Sequence, residues 1–240
     1  MINKKAIGFF DSGIGGLTLL NCAYELLPEE NYIYYGDNKN APYGNKSKNE
    51  ILYLVNKAFK YFQKKHVKAV VIACNTVTAE CAMQLRNVYN FKIIGIEPAV
   101  KPAERNGGNV AVLCTCATAN SEKFKKLINE YNNIDVFPQT NLAEIIENNI
   151  FCIDKIDLSP LIQQIKNYDN TVLGCTHYIF IKEVLKKYGI NNIFDGNEGT
   201  ANYLKKFLIN NKLLNEKGGK IVFKGSGKSK NSKLYKSIKN

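Results

Sequence analysis

The sequence lacks any hydrophobic run long enough to cross a membrane. A membrane-spanning helix needs about 20 consecutive apolar residues, whereas the N-terminal region offers only a five-residue apolar stretch, residues 6–10, before Asp11. That stretch is also too short to be the apolar part of a secretory signal peptide. We therefore expect a cytoplasmic protein that has no membrane partner.

The cysteines lack the spacing of a disulfide framework or of a zinc site. There are seven of them, spread along the chain, and none forms a C-x-x-C pair or has a second histidine nearby. The pattern predicts neither disulfides nor a bound metal. We interpret Cys22, Cys81 and Cys152 as small hydrophobic residues of the core.

Arginine is scarce, although the formal net charge is +12 and the chain holds 33 basic residues. Only Arg86 and Arg105 are arginines, whereas specific recognition of bases or phosphates usually relies on the arginine fork. Nine lysines and one glutamate lie between Lys212 and Asn240, so +8 of the charge is concentrated there. This distribution favours a solvated lysine-rich surface, and it predicts no nucleic-acid partner.

The end of the chain is rich in glycine, serine and lysine. Residues 225–233 have the composition of a segment that does not fold by itself. We expect this segment to be mobile, and we expect a chain that ends at Lys224 to keep most of its activity.

Two short stretches of the chain look like copies of each other. They are residues 70–76 (VVIACNT) and residues 171–177 (TVLGCTH). Each has the pattern of a buried parallel strand that runs into a helix, which predicts that Cys74 and Cys175 lie at strand tips. Ligands of open α/β sheets bind beyond those tips. A helix N-terminus there is expected to make a thiol easier to ionise, by on the order of one pKa unit.

The chain repeats one layout around each of these cysteines. Each half contains four predicted strands, and the third strand of each half ends at the cysteine. The pattern predicts an α/β fold of two pseudo-symmetric lobes, each a mostly parallel sheet flanked by helices, with the active site in the cleft between them. We expect the first lobe to span residues 1–98 and the second residues 99–206. Residues 207–240 are expected to complete the first lobe with one strand, 221–223.

Two thiols that face each other from opposite lobes suit the inversion of a carbon centre. One thiolate removes a proton from one face while the other thiol supplies a proton to the opposite face. Either cysteine alone is more simply interpreted as a buried residue at a strand end, but the matched pair favours catalysis. Asp11, at the tip of the first strand, is expected to attract an ammonium group.

His177 is expected to tune the neighbouring thiol or to help donate a proton. A cysteine–histidine protease is the competing enzymatic interpretation. We disfavour it because adjacent side chains at a strand-to-helix turn usually diverge, and because it gives Cys74 no role.

Several motifs resemble, in order, the signatures of bacterial glutamate racemases within the aspartate/glutamate racemase superfamily. They are residues 11–16 (DSGIGG), 41–44 (APYG), 73–76 (ACNT), 96–98 (IEP), 174–177 (GCTH) and the turn at 195–196 (DG). The resemblance covers about residues 6–208. It implies interconversion of L- and D-glutamate without a cofactor, with D-glutamate feeding peptidoglycan synthesis.

The resemblance also implies roles for individual residues. Cys74 and Cys175 correspond to the two acid/base residues, the first acting on D-glutamate and the second on L-glutamate, with Asp11 and His177 as their helpers. Glu147 falls where the family has another acidic helper, although the preceding Ala143 and Glu144 depart from the family pattern. The residues that would line the substrate site are Asp11, Ser12, Tyr43, Gly44, Asn75, Thr76, Thr118, Thr176 and His177.

The residues themselves indicate how a dicarboxylate would be bound. Both arginines lie away from the predicted strand tips, so binding must come from backbone N–H groups at helix starts and from side-chain hydroxyls. The hydroxyls that the loops offer are those of Ser12, Thr76, Thr118 and Thr176. We expect a small, largely buried site.

Two other functions stay open at this point. Aspartate racemase, or another racemase of the superfamily, would keep both cysteines and change the carboxylate pocket. A non-catalytic module that binds nucleic acid through its basic tail is the alternative from another class. The oligomeric state is also open, and a homodimer is compatible with the sequence.

Overall fold

The computed structural model describes residues 5–239 of the 240-residue chain. Residues 1–4 and 240 of the predicted first lobe lie outside the described residues. Within the described range, no helix is long and apolar enough to cross a bilayer.

The first half of the chain builds a five-stranded parallel sheet. Its strands are short, largely apolar segments, as expected for strands covered on both faces. They are β1 (Ile7–Asp11), β2 (Tyr32–Gly36), β3 (Ala69–Ile72), β4 (Lys92–Gly95) and, from the end of the chain, β9 (Ile221–Lys224). The order across the sheet is β4-β3-β1-β2-β9. The return of the chain to the first sheet as one strand is thereby confirmed.

The second half builds a four-stranded parallel sheet in the order β6-β5-β7-β8. Its strands are β5 (Val110–Thr115), β6 (Ile134–Gln139), β7 (Asn170–Leu173) and β8 (Ile193–Asp195). The predicted α/β fold of two mostly parallel sheets is confirmed.

Helices cover both faces of each sheet. The α-helices are α1 (Leu17–Leu26), α2 (Lys48–Lys64), α3 (Asn75–Val88), α4 (Val100–Arg105), α5 (Cys116–Asn120), α6 (Glu122–Ile128), α7 (Leu142–Asn148), α8 (Ser159–Ile165), α9 (Lys182–Lys187), α10 (Asn197–Asn210) and α11 (Lys228–Lys239). Three short 3-10 helices join them, at Asn38–Asn40, Ile153–Lys155 and Thr176–Ile181.

The two sheets share one hydrophobic core. Helix α1 packs on α10, and buried leucines of both helices belong to a single cluster that also takes in residues of both sheets. Helices α2 and α3 cover the opposite face of the first sheet, and α4 and α6 cover that of the second. The predicted lobe boundary after residue 206 falls inside α10, and the division into residues 1–98 and 99–206 stays a prediction.

The C-terminal segment is helical, so the prediction that residues 225–233 are mobile is wrong. From Lys228 onward the chain forms α11. Leu234 and Tyr235 are buried in the shared core, with Ile238 packed against it, and the rings of Tyr235 and Phe223 lie 5.7 Å apart. These apolar residues form one stripe on a lysine-rich helix. Composition alone did not indicate this apolar stripe, because lysine and serine are the most frequent residues of the segment.

Truncation after Lys224 tests the structural role of α11. We expect it to lower the free energy of unfolding by about 3 kcal/mol or more, because burying each large apolar side chain contributes about 1.5–3 kcal/mol. Because α11 is part of the core, the expectation of retained activity is replaced by a fall of more than tenfold, about 1.4 kcal/mol of barrier. Urea unfolding and a turnover assay measure the two effects. Replacing exposed Lys236 by alanine is the control on the same helix; a truncated chain as stable as the control would contradict the structure.

Candidate active site

Cys74 and Cys175 occupy matching positions in the two sheets. Cys74 lies just beyond the end of β3 and is the N-cap residue of α3, while Cys175 lies just beyond β7 and precedes the 3-10 helix Thr176–Ile181. Both side chains are buried. The thiols are near enough that a charge on Cys175 raises the pKa of Cys74. Each cysteine therefore lies at a strand tip, as the sequence predicted, and their role as a catalytic pair stays a prediction.

Cys74 is surrounded mainly by first-sheet residues. Its Sγ lies 3.5 Å from Ser12 Oγ. Burial, and then the charge of Asp11, raise the pKa of the Cys74 thiol to about 12, although Ser12 and the backbone N–H of Val77 lower it. The expectation that the helix N-terminus makes this thiol easier to ionise is therefore wrong for Cys74, because desolvation outweighs the helix.

Asp11 is fully buried at the tip of β1 and joins the two halves of the site. Its Oδ1 accepts the Gly13 N–H at 2.8 Å, and its Oδ2 accepts the Thr176 hydroxyl at 3.2 Å. Burial raises the pKa of the Asp11 carboxyl, while His177 and the backbone N–H groups of Gly13 and Gly16 lower it. A ligand ammonium group beside this carboxylate would relieve the same penalty.

Cys175 begins a chain of contacts through His177 to Glu147. His177 Nδ1 lies 4.0 Å from Cys175 Sγ, and Nε2 lies 2.7 Å from Glu147 Oε2. Burial lowers the pKa of His177, but the bonds to Cys175 and Glu147 outweigh it and raise the pKa to about 10. The pKa of Glu147 falls to about 2 despite burial, chiefly through its bond to His177. The pair is thus a buried imidazolium and carboxylate.

The Cys175 and His177 side chains converge, contrary to the divergence expected at such a turn. Cys175 has extended backbone angles and precedes a 3-10 helix, and across this turn His177 Nδ1 comes within 4.0 Å of Cys175 Sγ. Divergence of these side chains is therefore no longer an argument against a cysteine–histidine protease. The remaining argument is that a protease gives Cys74 no role.

The glycine-rich loop after β1 lets second-sheet residues come close. A Cβ atom on Gly13 would collide with the Glu147 carboxylate, and one on Gly15 would collide with Thr176 and the backbone of His177. Only glycine fits such approaches. The loop therefore forms part of the wall between the two halves, in addition to supplying Asp11 and Ser12.

A second polar cluster consists of threonines from both halves. Thr76 Oγ1 lies 2.9 Å from Thr115 Oγ1, and Thr115 donates to Thr118 Oγ1 at 3.0 Å. The carbonyl of Gly44 accepts the Ala117 N–H at 3.1 Å, which ties the 41–44 loop to α5. These buried hydroxyls lie where the second half meets the first residues of α3.

Asn75 and Tyr43, the other predicted site residues with known contacts or burial, lie in the first half of the chain. Asn75 is buried as the first residue of α3. Tyr43 is buried and its hydroxyl donates to Asp37 Oδ2 at 2.7 Å. Arg86 donates to the Ile93 carbonyl at the start of β4, and Arg105 is exposed at the end of α4, so neither arginine is at the strand tips.

Sequence reasoning missed three residues that support the site. Thr115 bridges Thr76 and Thr118, and Asn38 and Lys230 both contact Glu147 Oε1, at 2.9 Å and 3.2 Å. Thr115 is the last residue of β5 and Asn38 follows β2 by two positions, so their polar character near strand tips was an available signal. Lys230 offered none, because one lysine among nine in a basic tail is not distinguishable by sequence.

The geometry gives two thiols in unlike environments within one enclosed site. Cys74 is held as a thiol beside a carboxylate, whereas Cys175 faces an imidazolium that would neutralise a thiolate. One proton donor and one proton acceptor on two sides of a cleft fit acid–base chemistry at a single carbon. Among residues 5–239 there is no cluster of His, Cys, Asp and Glu suited to hold a metal ion.

Three similar proteins share one name. No family model matches the chain. The curated glutamate racemase of Clostridium botulinum (strain Kyoto / Type A2) is 42% identical over 243 residues, which cover 95% of this chain and 94% of that protein. The crystal structure of Francisella tularensis glutamate racemase with D-glutamate is 29% identical with a TM-score of 0.81, covering 98% of this chain and 94% of that one. Escherichia coli glutamate racemase with L-glutamate and the activator UDP-MurNAc-Ala is 26% identical with a TM-score of 0.81, covering 97% and 95%.

The His177–Glu147 pair makes a prediction about protonation. NMR titration of the ring should show His177 as an imidazolium to above pH 9, and Glu147→Gln should lower its pKa by more than one unit, because the bond and the negative charge are lost. The chain has only two histidines, so His66 is the internal reference.

Stability should follow the same titration. A raised folded-state pKa stabilises the protein fully below the unfolded value near 6.5 and progressively less as the pH rises through about 10. The stability difference between wild type and Glu147→Gln should therefore shrink over that interval. A ring that is neutral at pH 8 in the wild type would contradict the assignment.

Proposed function

The chain belongs to the glutamate racemase family, and we propose that it interconverts L- and D-glutamate through acid–base chemistry at Cys74 and Cys175. It is accordingly an isomerase. The observation that carries the mechanism is the pair of buried thiols at the tips of β3 and β7, one beside Ser12 and the other beside His177.

In the L-to-D direction, Cys175 is the base. The His177 imidazolium beside Sγ is the counter-charge for a thiolate that removes the α-proton. Cys74, whose pKa is raised to about 12, is a thiol at neutral pH and delivers its proton to the opposite face. The reaction leaves Cys175 as thiol and Cys74 as thiolate, and the pair returns to its first state by exchange with solvent.

The D-to-L direction reverses these roles. Cys74 must then lose its proton, which burial and Asp11 oppose in the free protein. A substrate ammonium group beside Asp11 would cancel the repulsion between that carboxylate and the Cys74 thiolate. Binding of the substrate thus prepares the base that its own conversion needs.

The substrate carboxylates are bound by hydroxyl and backbone N–H groups. Thr115 donates to Thr118 Oγ1, so the proton of the Thr118 hydroxyl stays available for a ligand oxygen, and Thr76 and Asn75 lie at the start of α3 beside it. Ser12, Tyr43, Gly44, Thr176 and His177 complete the proposed lining. In a buried site these dipoles stabilise the negative charge that develops at the α-carbon without reorganising.

The proposed reaction needs no cofactor, and its product D-glutamate is assigned to peptidoglycan synthesis, as family membership implies. The division into lobes at residues 1–98 and 99–206, with residues 207–240 completing the first, is part of the proposal. The position of β9 beside β2 in the first sheet supports it.

A turnover assay tests the activity and its main alternative. Purified protein is incubated with L-glutamate or L-aspartate, without added cofactor, and the optical signal is followed by circular dichroism. We expect decay of the glutamate signal to zero and little change with aspartate. Rapid decay with aspartate alone would assign the protein to a sister activity, and salt-sensitive DNA binding without any turnover would favour the nucleic-acid-binding alternative. The folding of Leu234 and Tyr235 into the core argues against a free basic arm.

Substitution of the thiols tests the catalytic pair. Serine is nearly isosteric with cysteine but much less acidic, so Cys74→Ser and Cys175→Ser should each fold normally and each lose racemisation in both directions, by at least about 1,000-fold. Cys22→Ser, in α1 and outside the site, is the matched control and should retain turnover. If either active-site variant keeps a rate near that of the control, one base suffices and the pair is not the catalyst.

A further inference from the structure

The C-terminal helix reaches the active site through Lys230. Its Nζ donates to Glu147 Oε1 at 3.2 Å and to the Glu147 backbone carbonyl at 3.0 Å. The lysine side chain is 37% exposed, whereas that of Glu147 is 9% exposed. A lysine of the basic tail thus binds an acid that lies next to the catalytic histidine.

A second contact from the same helix supports the same acid. Asn231 is fully buried and exchanges two hydrogen bonds with Asn38, at 3.0 Å and 3.1 Å. Asn38 in turn donates to Glu147 Oε1 at 2.9 Å. Helix α11 therefore contacts Oε1 directly through Lys230 and indirectly through Asn231.

The two carboxylate oxygens of Glu147 have different hydrogen-bond partners. Oε2 accepts from His177 and from the Ile14 N–H, at 2.7 Å and 3.2 Å, while Oε1 accepts from Asn38 and Lys230. Because one rigid carboxylate makes all four contacts, removing those at Oε1 changes the direction in which Oε2 meets His177.

We propose that Lys230 is a positioning residue of the racemisation reaction, which acts on the proton transfer at Cys175 by holding Glu147 and, through it, His177. The proposal rests on the proposed function. It assigns no contact between Lys230 and the substrate. The contacts of Cys74 with Ser12 and Val77 involve no residue of α11, so the step at Cys74 is affected less.

The proton transfers at Cys74 and Cys175 can be distinguished by experiment, although the two enantiomers of glutamate have equal free energy. L- and D-glutamate have equal free energy in water, so kcat/KM must change equally in both directions for any variant. Primary deuterium isotope effects do not have this restriction. If the step at Cys175 becomes slower, the isotope effect on kcat/KM rises for α-deuterated L-glutamate and, for α-deuterated D-glutamate, falls towards the equilibrium isotope effect of its first proton transfer.

The variant Lys230→Met removes the charge and keeps the length of the side chain. We expect kcat to fall about tenfold with KM within about twofold of wild type, as for loss of a charge-assisted hydrogen bond that does not touch substrate. The isotope effects should diverge as described. Lys230→Arg should restore most of kcat. Lys233→Met, an exposed lysine one turn away on the same helix, is the control and should match wild type.

A chemical rescue separates positioning from folding. Lys230 lines a cavity of about 380 Å³ together with Glu147, Asn38 and Ser226, which gives small molecules access to the vacated position. In Lys230→Ala, added ethylamine should restore part of the lost kcat, and ethanol at the same concentration should not.

Each outcome decides the proposal. Diverging isotope effects with rescue by arginine and by ethylamine support it. A Lys230→Met rate equal to that of Lys233→Met would overturn it, as would a raised KM at unchanged kcat, or a lost rate with equal isotope effects and no rescue. A wild-type protein that does not racemise glutamate refutes the proposed function instead, so the two failures are distinguishable.

Discussion

The buried carboxylate of Glu147 is the interaction on which the site depends. It belongs to α7 in the second half of the chain, yet it accepts bonds from Ile14 and Asn38 of the first half and pairs with His177. Removing one partner of a buried ion pair typically costs about 3–5 kcal/mol, because the remaining charge is left without compensation. The two halves of the site are therefore held in register by the same group that keeps His177 charged.

This constraint explains the unequal environments of the two thiols. Every charge in a buried site needs a partner, and the second half supplies one pair, Glu147 with His177, beside Cys175. The first half supplies Asp11, whose partners in the free protein are N–H groups and the Thr176 hydroxyl. Under the proposed function, the ammonium group of glutamate would add a second positive charge near Asp11, whose carboxylate already interacts with the charge of His177.

Much of the fold and the central residues could be predicted from sequence. The strands that end at Cys74 and Cys175 form because of local conformational preferences and burial. The pattern of apolar residues in the sequence indicates both directly. Interactions between distant segments could not be predicted in this way. Desolvation of Cys74 depends on the tertiary packing that buries it, and the 4.0 Å approach of His177 Nδ1 to Cys175 Sγ depends on a turn whose geometry the sequence pattern does not specify. Lys230 and Glu147 are 83 positions apart in the sequence, so no local pattern indicates their contact. Leu234 and Tyr235 are buried, but the basic composition of the tail led to the wrong prediction of a mobile segment.

The two-base mechanism is tested most directly by the isotope content of the first product. L-glutamate is converted in deuterium oxide, and both enantiomers are separated and analysed by mass spectrometry at early times. Because the Cys74 thiol exchanges with solvent before it delivers its proton, D-glutamate should contain deuterium at the α-carbon from the first turnovers, while remaining L-glutamate stays mostly protonated. Protium at the α-carbon of the D-product, or deuterium entering L-glutamate as fast as it enters the product, would show that one base serves both faces and would contradict the mechanism.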